Sequence, residues 1–437
     1  MLSLAAPVAL GELGWMSMSV VDTIMVGGLG PAAIGATGVG GSLFYVFAIF
    51  GVGLLFGLDT LVSQSFGRGD REDCHRSLGQ ALWIALLLVP IIMSVVRSVP
   101  FFFPVWGVNP GVSREAIPFL LTLSWSTLPL LLYGATRRYL QGVGHVRPVM
   151  FTLISANLIN WFANWLLIYG HWGFPRLGVV GSALSTCLAR LYMAGLIAVY
   201  LIRIEHAAGF RIKTIFRRPE IARIVQLLKL GLPAASQIIL EIGAFSVASV
   251  LASRMSAVAL AAHQVAISCA SVSYMVPLGI SSAAAVGVGQ AIGAGQFARA
   301  RRAGYIALII ACVFAVCAAS LFIVLPLPIL RIYTADREVQ RVGIILLALA
   351  ALFQLADGTQ TVLTGALRGA GKTKSVVLAN LVGYYLVGLP LGWQLGFRRG
   401  FGIVGLWEGL TFALIGIAAA LLWEWNRESR RLGTAAG

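Results

Sequence analysis

The sequence QSFGRG at residues 64–69 recurs 226 positions later as QAIGAG at residues 290–295. The same displacement aligns three further residue pairs without a gap: Pro7 with Pro233, Leu29 with Met255, and Ile34 with Leu260. With small shifts, two glycine-rich segments also align, QGVG at 141–144 with RGAG at 368–371 and GVVG at 178–181 with GIVG at 402–405. Similarity sustained at one displacement indicates a duplicated structural unit. The chain is therefore predicted to consist of two homologous halves.

The composition places both halves in a membrane. Hydrophobic residues make up 59% of the 437 residues and charged residues only 11%, and the mean hydropathy is +0.89. A typical soluble domain contains about 25% charged residues, so this composition excludes a soluble globular enzyme. The apolar stretches lack the period-two alternation of a membrane β-barrel, so the spans are predicted to be helices of about 20 residues.

The hydropathy pattern predicts twelve spans, six in each half. They lie near residues 4–25, 38–66, 78–104, 116–140, 148–170, 178–203, 224–253, 262–292, 303–330, 340–366, 375–397 and 402–426. We therefore predict an all-α membrane protein with twelve transmembrane helices in two six-helix bundles. Because each bundle has an even number of spans, a pseudo-two-fold axis along the membrane normal relates the bundles. The predicted domains are an N-terminal bundle at 1–203, a cytoplasmic linker at 204–222 and a C-terminal bundle at 223–437.

The Lys and Arg residues predict that both termini are cytoplasmic. Twenty-two of the 32 fall in loops on one side of the predicted spans, among them Arg137 and Arg138, and Arg211, Lys213 and Arg217 of the linker. Nine fall on the other side, and this bias follows the positive-inside rule. Topology thus explains the net charge of +16, and no nucleic-acid partner is expected because no loop gathers aromatic residues among the cations. The five cysteines lack the spacing of a disulfide framework or metal site.

Six carboxylates are predicted to lie within the spans: Glu12, Asp22, Asp59, Glu241, Asp357 and Glu408. A charge at that depth costs several kcal/mol, so each should face a cavity or a partner. Hydrogen bonds between spans or buried pairing would equally explain Glu12, Asp59 and Glu408. Asp22 could also cap its span, and Glu241 could pair with Arg190. Burial favours the neutral form of a carboxyl group, so these residues could exchange protons.

Polar residues accompany three of the carboxylates. The fifth span places Asn157, Asn160 and Asn164 on one helical face. With Asp22, these amides form an oxygen-rich set suited to Na⁺ or to a proton-switched hydrogen-bond network, although the face could also hold helices together. Similar polar stripes are predicted to line a cavity in the seventh and tenth spans, and they contain Gln237 and Glu241, and Gln354, Asp357, Thr361 and Thr364.

Two bundles around intramembrane charges suit alternating access, in which the halves rock about a site near the bilayer midplane. A passive channel would need neither paired bundles nor these carboxylates. An enzyme is not expected, since GxSxG, HExxH and Walker-type patterns are missing from the chain, and no cofactor is predicted. A flippase for a lipid-linked substrate could share the fold, but it would be expected to line its cavity with basic residues.

Seven motifs, in order and spacing, resemble the multidrug and toxic compound extrusion (MATE) transporters, particularly their NorM-like branch, over essentially the whole chain. They are VDTIMVG at 21–27, DTLVSQ at 59–64, AAHQVA at 261–266, VGQAIGAG at 288–295, GALRGAG at 365–371, YYLVGLP at 384–390 and GLW at 405–407.

The resemblance implies a multi-pass antiporter of the bacterial inner membrane, expected to act as a monomer in contact with membrane lipid. It would export small organic, often cationic or amphipathic compounds in exchange for Na⁺ or H⁺. The family's functional positions match Asp22, Asn160, Asn164, Glu241 and Asp357, and Ser182 stands where relatives offer a hydroxyl or thiol. Na⁺ is expected at Asp22, Asn160, Asn164 and Ser182. Asn157, Gln237 and Thr361 are further candidates for cation coupling or substrate binding.

Overall fold

The computed structural model describes residues 1–210, 215 and 218–434, and within these ranges the chain is helical and contains no strand. Among the described residues, eleven segments are long and apolar enough to cross a membrane. A twelfth span results when two helices joined by a 47° bend, Pro110–Ser124 and Thr127–Gly142, are counted together. The predicted all-α membrane fold with twelve spans is confirmed.

The helices form two compact units, Leu10–Ala235 and Met1–Ala9 with Ser236–Gly437, which we call the N-terminal and C-terminal units. The first eight helices are α1 (Leu2–Gly27), α2 (Pro31–Leu54), α3 (Gly57–Gly67), α4 (Arg71–Ser98), α5 (Pro110–Ser124), α6 (Thr127–Gly142), α7 (Val146–Tyr169) and α8 (Val179–Ala207). The others are α9 (Ile221–Ser253), α10 (Ala257–Gly293), α11 (Phe297–Val324), α12 (Pro326–Tyr333), α13 (Arg337–Gly369), α14 (Thr373–Asn380), α15 (Leu389–Trp393) and α16 (Gly402–Thr434). Two π-helical segments, Leu381–Gly388 and Gln394–Arg398, continue the span that α14 begins.

The division between the units falls inside helices, after Ala9 in α1 and after Ala235 in α9. These positions are separated by the same 226 residues as the sequence repeat. The predicted domain limits, 1–203 and 223–437 with a linker at 204–222, stay a prediction. Arg211, Lys213 and Arg217, which were counted among the linker cations, lie outside the described residues.

The repeat also appears in the turns between helices. Gly69 precedes α4 with φ of +78°, and its counterpart Gly295 precedes α11 with φ of +69°. Gly178 and Gly402 form a second pair, with φ of +56° and +57° at the starts of α8 and α16. Only glycine adopts this left-handed region without a steric penalty. The duplicated glycines of the sequence therefore correspond to duplicated turns.

In the described part of the N-terminal unit, two pairs of opposite charges are buried. Arg137 of α6 pairs with Glu12 of α1, and Arg138 pairs with Asp59 at 3.3 Å. The Arg138 guanidinium also lies 3.8 Å from the centroid of the Phe56 ring. Counting Arg137 and Arg138 among the loop cations was wrong, because both lie inside α6 and are buried. Of the alternatives for Glu12 and Asp59, the structure shows buried pairing.

Glu205 is another buried carboxylate of the N-terminal unit, and it lies in α8. Its carboxylate is 2.8 Å from His75 Nε2 and accepts a hydrogen bond from the Tyr139 hydroxyl at 2.7 Å. Arg71 lies 3.7 Å away. Partners on α4 and α6 thus stabilise the buried Glu205 carboxylate within a largely apolar helix.

Candidate cation and substrate sites

Asp22, near the end of α1, accepts hydrogen bonds from two helices of the N-terminal unit. Asn164 Nδ2 of α7 donates to Asp22 Oδ1 at 2.6 Å, and Thr186 Oγ1 of α8 donates to Asp22 Oδ2 at 3.1 Å. Asn164 Nδ2 also lies 3.2 Å from Asn160 Oδ1, one helical turn away. Asp22, Asn160 and Asn164 are therefore brought together, as the helical spacing predicted. We call these residues with Thr186 and Ser182 the Asp22 cluster.

Several buried polar atoms in the Asp22 cluster lack a hydrogen-bond partner among the residues that the structure describes. They are Asn160 Nδ2, Asn164 Oδ1 and Ser182 Oγ. Asn160 and Asn164 are 0% exposed and Ser182 is 1% exposed. Buried polar groups in proteins almost always have a partner, so such a group of atoms indicates a place for water or a small ligand. A carboxylate with amide and hydroxyl oxygens also suits a hard monovalent cation.

Thr186 was not among the predicted site residues, although it binds Asp22 directly. It lies one turn after Ser182 on the same face of α8, and its hydroxyl also lies 3.1 Å from the Ser182 carbonyl oxygen. The sequence feature that could have identified Thr186 is its position four residues after the candidate Ser182. The Ser182 hydroxyl is buried nearby but makes no hydrogen bond to Asp22 in the described part of the chain.

Asn157 has a different set of partners from Asn160 and Asn164. Its Nδ2 donates to the backbone oxygens of Gly14 and Leu153, both at 2.8 Å. The first of these bonds links α7 to α1 without using the Asp22 carboxylate. Asn157 thus makes the interhelical contact that the sequence offered as the alternative for the asparagine face.

Arg190 continues the α8 stripe one turn beyond Thr186 and is 3% exposed. Its Nη1 donates to the Ser126 hydroxyl at 2.6 Å, at the bend between α5 and α6, and its guanidinium lies 5.0 Å from the centroid of the Phe44 ring. It is near enough to Asp22 for an electrostatic interaction. The Asp22 cluster thus combines one carboxylate with a nearby guanidinium.

A second polar cluster lies in the C-terminal unit. Gln237 Nε2 donates to Glu241 Oε2 at 3.1 Å along α9. Asp357 of α13, which is buried, interacts electrostatically with Glu241. Thr361 and Thr364 are also buried, on the same helix as Asp357. The structure therefore brings together the two stripes that the sequence predicted separately, and we call this group the Glu241–Asp357 cluster.

Two tyrosines of this cluster were missed by the sequence analysis as site residues. Tyr274 of α10 and Tyr384 both interact electrostatically with Glu241 and Asp357. The Tyr384 hydroxyl also donates to Gln360 Oε1 at 3.4 Å. Tyr384 begins a motif that was recognised, whereas the sequence around Tyr274 offers no charged or periodic signal. Gln354 instead binds Ser273 of α10, at 2.9 Å.

Membrane-spanning helices in two units, each with buried polar groups around carboxylates, define a multi-pass membrane protein of the transporter class. The MatE family model matches residues 7–166 and 233–394, two segments that begin at the repeat-related prolines. The chain belongs to the MatE family.

Curated relatives extend over nearly the whole chain. The probable multidrug resistance protein NorM of Mesorhizobium japonicum is 34% identical to this chain. The alignment is 446 positions long and covers 98% of this chain and 93% of the relative. The protein of the same name from Geobacillus kaustophilus is 32% identical over 413 residues, covering 94% of this chain and 91% of the relative. The predicted resemblance to NorM-like transporters is thereby confirmed.

Solved structures share the fold. The eukaryotic MATE transporter AtDTX14 superposes with a TM-score of 0.88 at 20% identity, over 100% of this chain and 98% of that one. A MATE structure in the straight conformation gives a TM-score of 0.90 at 18% identity, over 99% of this chain and 96% of that one. These likenesses establish the two-bundle architecture for this chain.

Proposed function

We propose that the protein is a cation-coupled antiporter that exports organic, often cationic or amphipathic compounds from a bacterial cell by alternating access. The coupling ion is Na⁺ or H⁺, the protein works as a monomer in the inner membrane, and both termini are cytoplasmic. The observation that carries this proposal is the Asp22 carboxylate, which is bound by Asn164 and Thr186 among buried polar atoms that lack partners in the described chain. The names of the NorM relatives support a drug as the exported compound.

Exchange follows from competition for carboxylates. A cation bound at Asp22 satisfies the carboxylate, and so does a cationic group of the drug, so one displaces the other. The Glu241–Asp357 cluster provides a second pair of carboxylates for the same competition. Coupling requires that the outward-facing and inward-facing states differ in their affinities, because a ligand that binds both equally shifts nothing.

The amide oxygens of Asn160 and Asn164 and the hydroxyl oxygen of Ser182 fit Na⁺, since Asn164 Oδ1 and Ser182 Oγ are buried without partners in the described ranges. A proton would instead be carried by the carboxyl group, and the hydrogen bonds from Asn164 and Thr186 would rearrange. A flippase of a lipid-linked substrate is disfavoured, because the buried charges of the two clusters are mainly carboxylates, with Arg190 near Asp22 and Arg368 near Tyr274 as cations in the described chain.

The test is ethidium uptake into inverted membrane vesicles, whose lumen corresponds to the outside of the cell. A luminal excess of Na⁺ and an acidic lumen are imposed separately. We expect one of these gradients to drive ethidium accumulation, and the Asp22→Asn/Asp357→Asn variant, inserted to the same level, to abolish it. Equal ethidium uptake by that variant, or uptake independent of both gradients, would contradict antiport.

A further inference from the structure

A file of buried polar side chains runs along α6 in the N-terminal unit. Tyr133, Arg137 and Gln141 are spaced four residues apart, so they share one face of the helix. They are 2%, 7% and 1% exposed. The Tyr133 ring stacks on Trp15 of α1 with centroids 6.4 Å apart, and Arg137 pairs with Glu12 one turn earlier on α1. The file therefore lies against α1, the helix that contains Asp22.

Each of these three residues has a buried polar atom without a hydrogen-bond partner of normal geometry in the described residues. The atoms are the Tyr133 hydroxyl, Arg137 Nε, and both Nε2 and Oε1 of Gln141. A buried polar group without a partner costs about 1–3 kcal/mol. Four such atoms on one helical face indicate that water satisfies them, because buried water typically makes two to four hydrogen bonds to groups of this kind.

Buried polar atoms without a hydrogen-bond partner in the described residues also occur on α7, between this file and Asp22. Asn157 Oδ1 lacks a partner in the described chain, and so do Asn160 Nδ2 and Asn164 Oδ1, the last being one turn from Asn160. The Asn157 amide donates a hydrogen bond to the Gly14 carbonyl oxygen at 2.8 Å. Asn157 therefore lies at the level of Gly14 and its neighbour Trp15 on α1. Polar atoms available to water therefore occur at successive levels from Gln141 to Asp22.

The charges along the file balance. Glu12 pairs with Arg137, and Asp59, which pairs with Arg138, also interacts electrostatically with Arg137. A dehydrated metal cation takes several oxygen ligands, whereas Tyr133 lies beside the stacked Trp15 ring and the cationic Arg137. A proton needs only hydroxyls and waters that both donate and accept hydrogen bonds, and Tyr133 provides such a group.

We infer that Gln141, Arg137, Glu12 and Tyr133 line a water-filled proton path through the N-terminal unit, which connects Asp22 to the end of the unit at which α6 finishes. By the Arg and Lys distribution this end faces the cytoplasm. Protons move along water and the Tyr133 hydroxyl, and the Glu12–Arg137 pair keeps the path neutral. This inference rests on the proposed antiport for its role, but the water in the path can be tested without transport.

Water access is tested by cysteine labelling in a variant whose five native cysteines are replaced. Gln141→Cys should react with a membrane-impermeant methanethiosulfonate in inverted vesicles. Leu140→Cys, the neighbouring residue at 0% exposure, is the matched control, and the exposed Arg147→Cys shows that the reagent reaches this side. We expect Gln141→Cys to react about tenfold faster than Leu140→Cys. Equal slow labelling of the two would overturn the inference.

Proton movement is tested with Tyr133→Phe, which removes a hydroxyl that lies near Arg137 but has no hydrogen-bond partner of normal geometry in the described residues. The matched control is Tyr139→Phe on the same helix, whose hydroxyl is bound by Glu205. In proteoliposomes, drug-induced proton flux measured with a pH-sensitive dye should fall about tenfold in Tyr133→Phe and stay near the parental rate in Tyr139→Phe. Ethidium binding, measured by fluorescence polarisation, should be unchanged in both.

The outcomes separate this inference from the antiport proposal. Parental proton flux in Tyr133→Phe would overturn the proton path. If Na⁺ alone drives efflux in the parent protein, the path is also overturned, while antiport stands. If neither ion drives efflux, antiport fails, and fast labelling of Gln141→Cys would still support a water-filled path.

Discussion

Asn164 donates a hydrogen bond to the Asp22 carboxylate at 2.6 Å across 142 residues of chain. This contact joins the end of α1 to α7, and Thr186 of α8 completes it from a third helix. A proton or cation that binds Asp22 therefore affects the hydrogen bonds from both neighbouring helices at the same time. The hydrogen bonds must then change, which connects ion binding to the packing of three spans.

Neutralising Asp22 is expected to abolish coupled efflux. Asp22→Asn removes the charge but preserves the shape of the side chain, so the helices should still assemble. Hydrogen bonds to a charged group contribute about 1.5–3 kcal/mol, so we expect at least about a tenfold loss of ethidium efflux. Efflux is measured in cells, with membrane insertion checked by immunoblot and Glu115→Gln, at an exposed carboxylate of α5, as the control. Full efflux by Asp22→Asn would refute its assignment.

Thr186 should matter more for ion coupling than Ser182. Thr186→Val is nearly isosteric but removes the hydroxyl that donates to Asp22, so half-maximal activation by the coupling ion should shift about tenfold. Ser182→Ala removes a hydroxyl without a partner in the described residues and should shift it less. The measurement is initial efflux against Na⁺ concentration and against pH. A larger shift for Ser182→Ala than for Thr186→Val would contradict the prediction, because direct ligation by the Ser182 hydroxyl would then outweigh the hydrogen bond from Thr186 to Asp22.

Glu241 and Asp357 should behave as a coupled pair. Because their charges interact, neutralising one changes the affinity of the other for a cation, and the effects of two such neighbours are not additive. We expect Glu241→Gln and Asp357→Asn each to reduce the efflux rate. The efflux rate of the double variant should lie within about twofold of that of the less active single variant. Strictly multiplicative losses would indicate two independent sites.

The fold could be predicted from the sequence because two strong signals agree. Apolar length determined the spans, and the displacement between Gly69 and Gly295 revealed the duplication before any turn geometry was known. The span formed by α5 and α6 was predicted as continuous, yet it bends by 47°. Ser126 at that bend binds Arg190, which is 64 residues away, and no local pattern indicates such a contact.

The candidate sites could be predicted from the sequence only in part. Helical spacing placed Asn160 and Asn164 on one face, and the cost of a membrane-buried charge identified Asp22, Glu241 and Asp357. Partners supplied by other helices could not be read from a periodic pattern, as Thr186 and Tyr274 show. Arg137 and Arg138 were misassigned because a cation near a span end resembles a loop residue until its carboxylate partner is known.

The topology predicts a cytoplasmic C-terminus, since the last helix ends in Arg427, Arg430 and Arg431. A green fluorescent protein fused after residue 437 should fluoresce, and alkaline phosphatase fused there should be inactive. As a matched control, phosphatase inserted at Gly400, in the exposed turn before α16, should be active. The reverse pattern would place the basic side of the protein outside the cell.

The Glu12–Arg137 pair predicts a characteristic pattern of stabilities. Glu12→Gln leaves Arg137 buried without its carboxylate, and breaking a buried ion pair in this way costs about 3–5 kcal/mol. Arg137→Gln leaves Glu12 uncompensated and should cost a similar amount. The double variant contains no uncompensated charge, so its unfolding temperature in detergent should lie above those of both single variants. Arg147→Gln, on the exposed surface, should leave the unfolding temperature unchanged. If the double variant were as unstable as the sum of the single variants, the two side chains would stabilise the unit independently, and the paired charge of Glu12 would not be what allows Arg137 to lie buried inside α6.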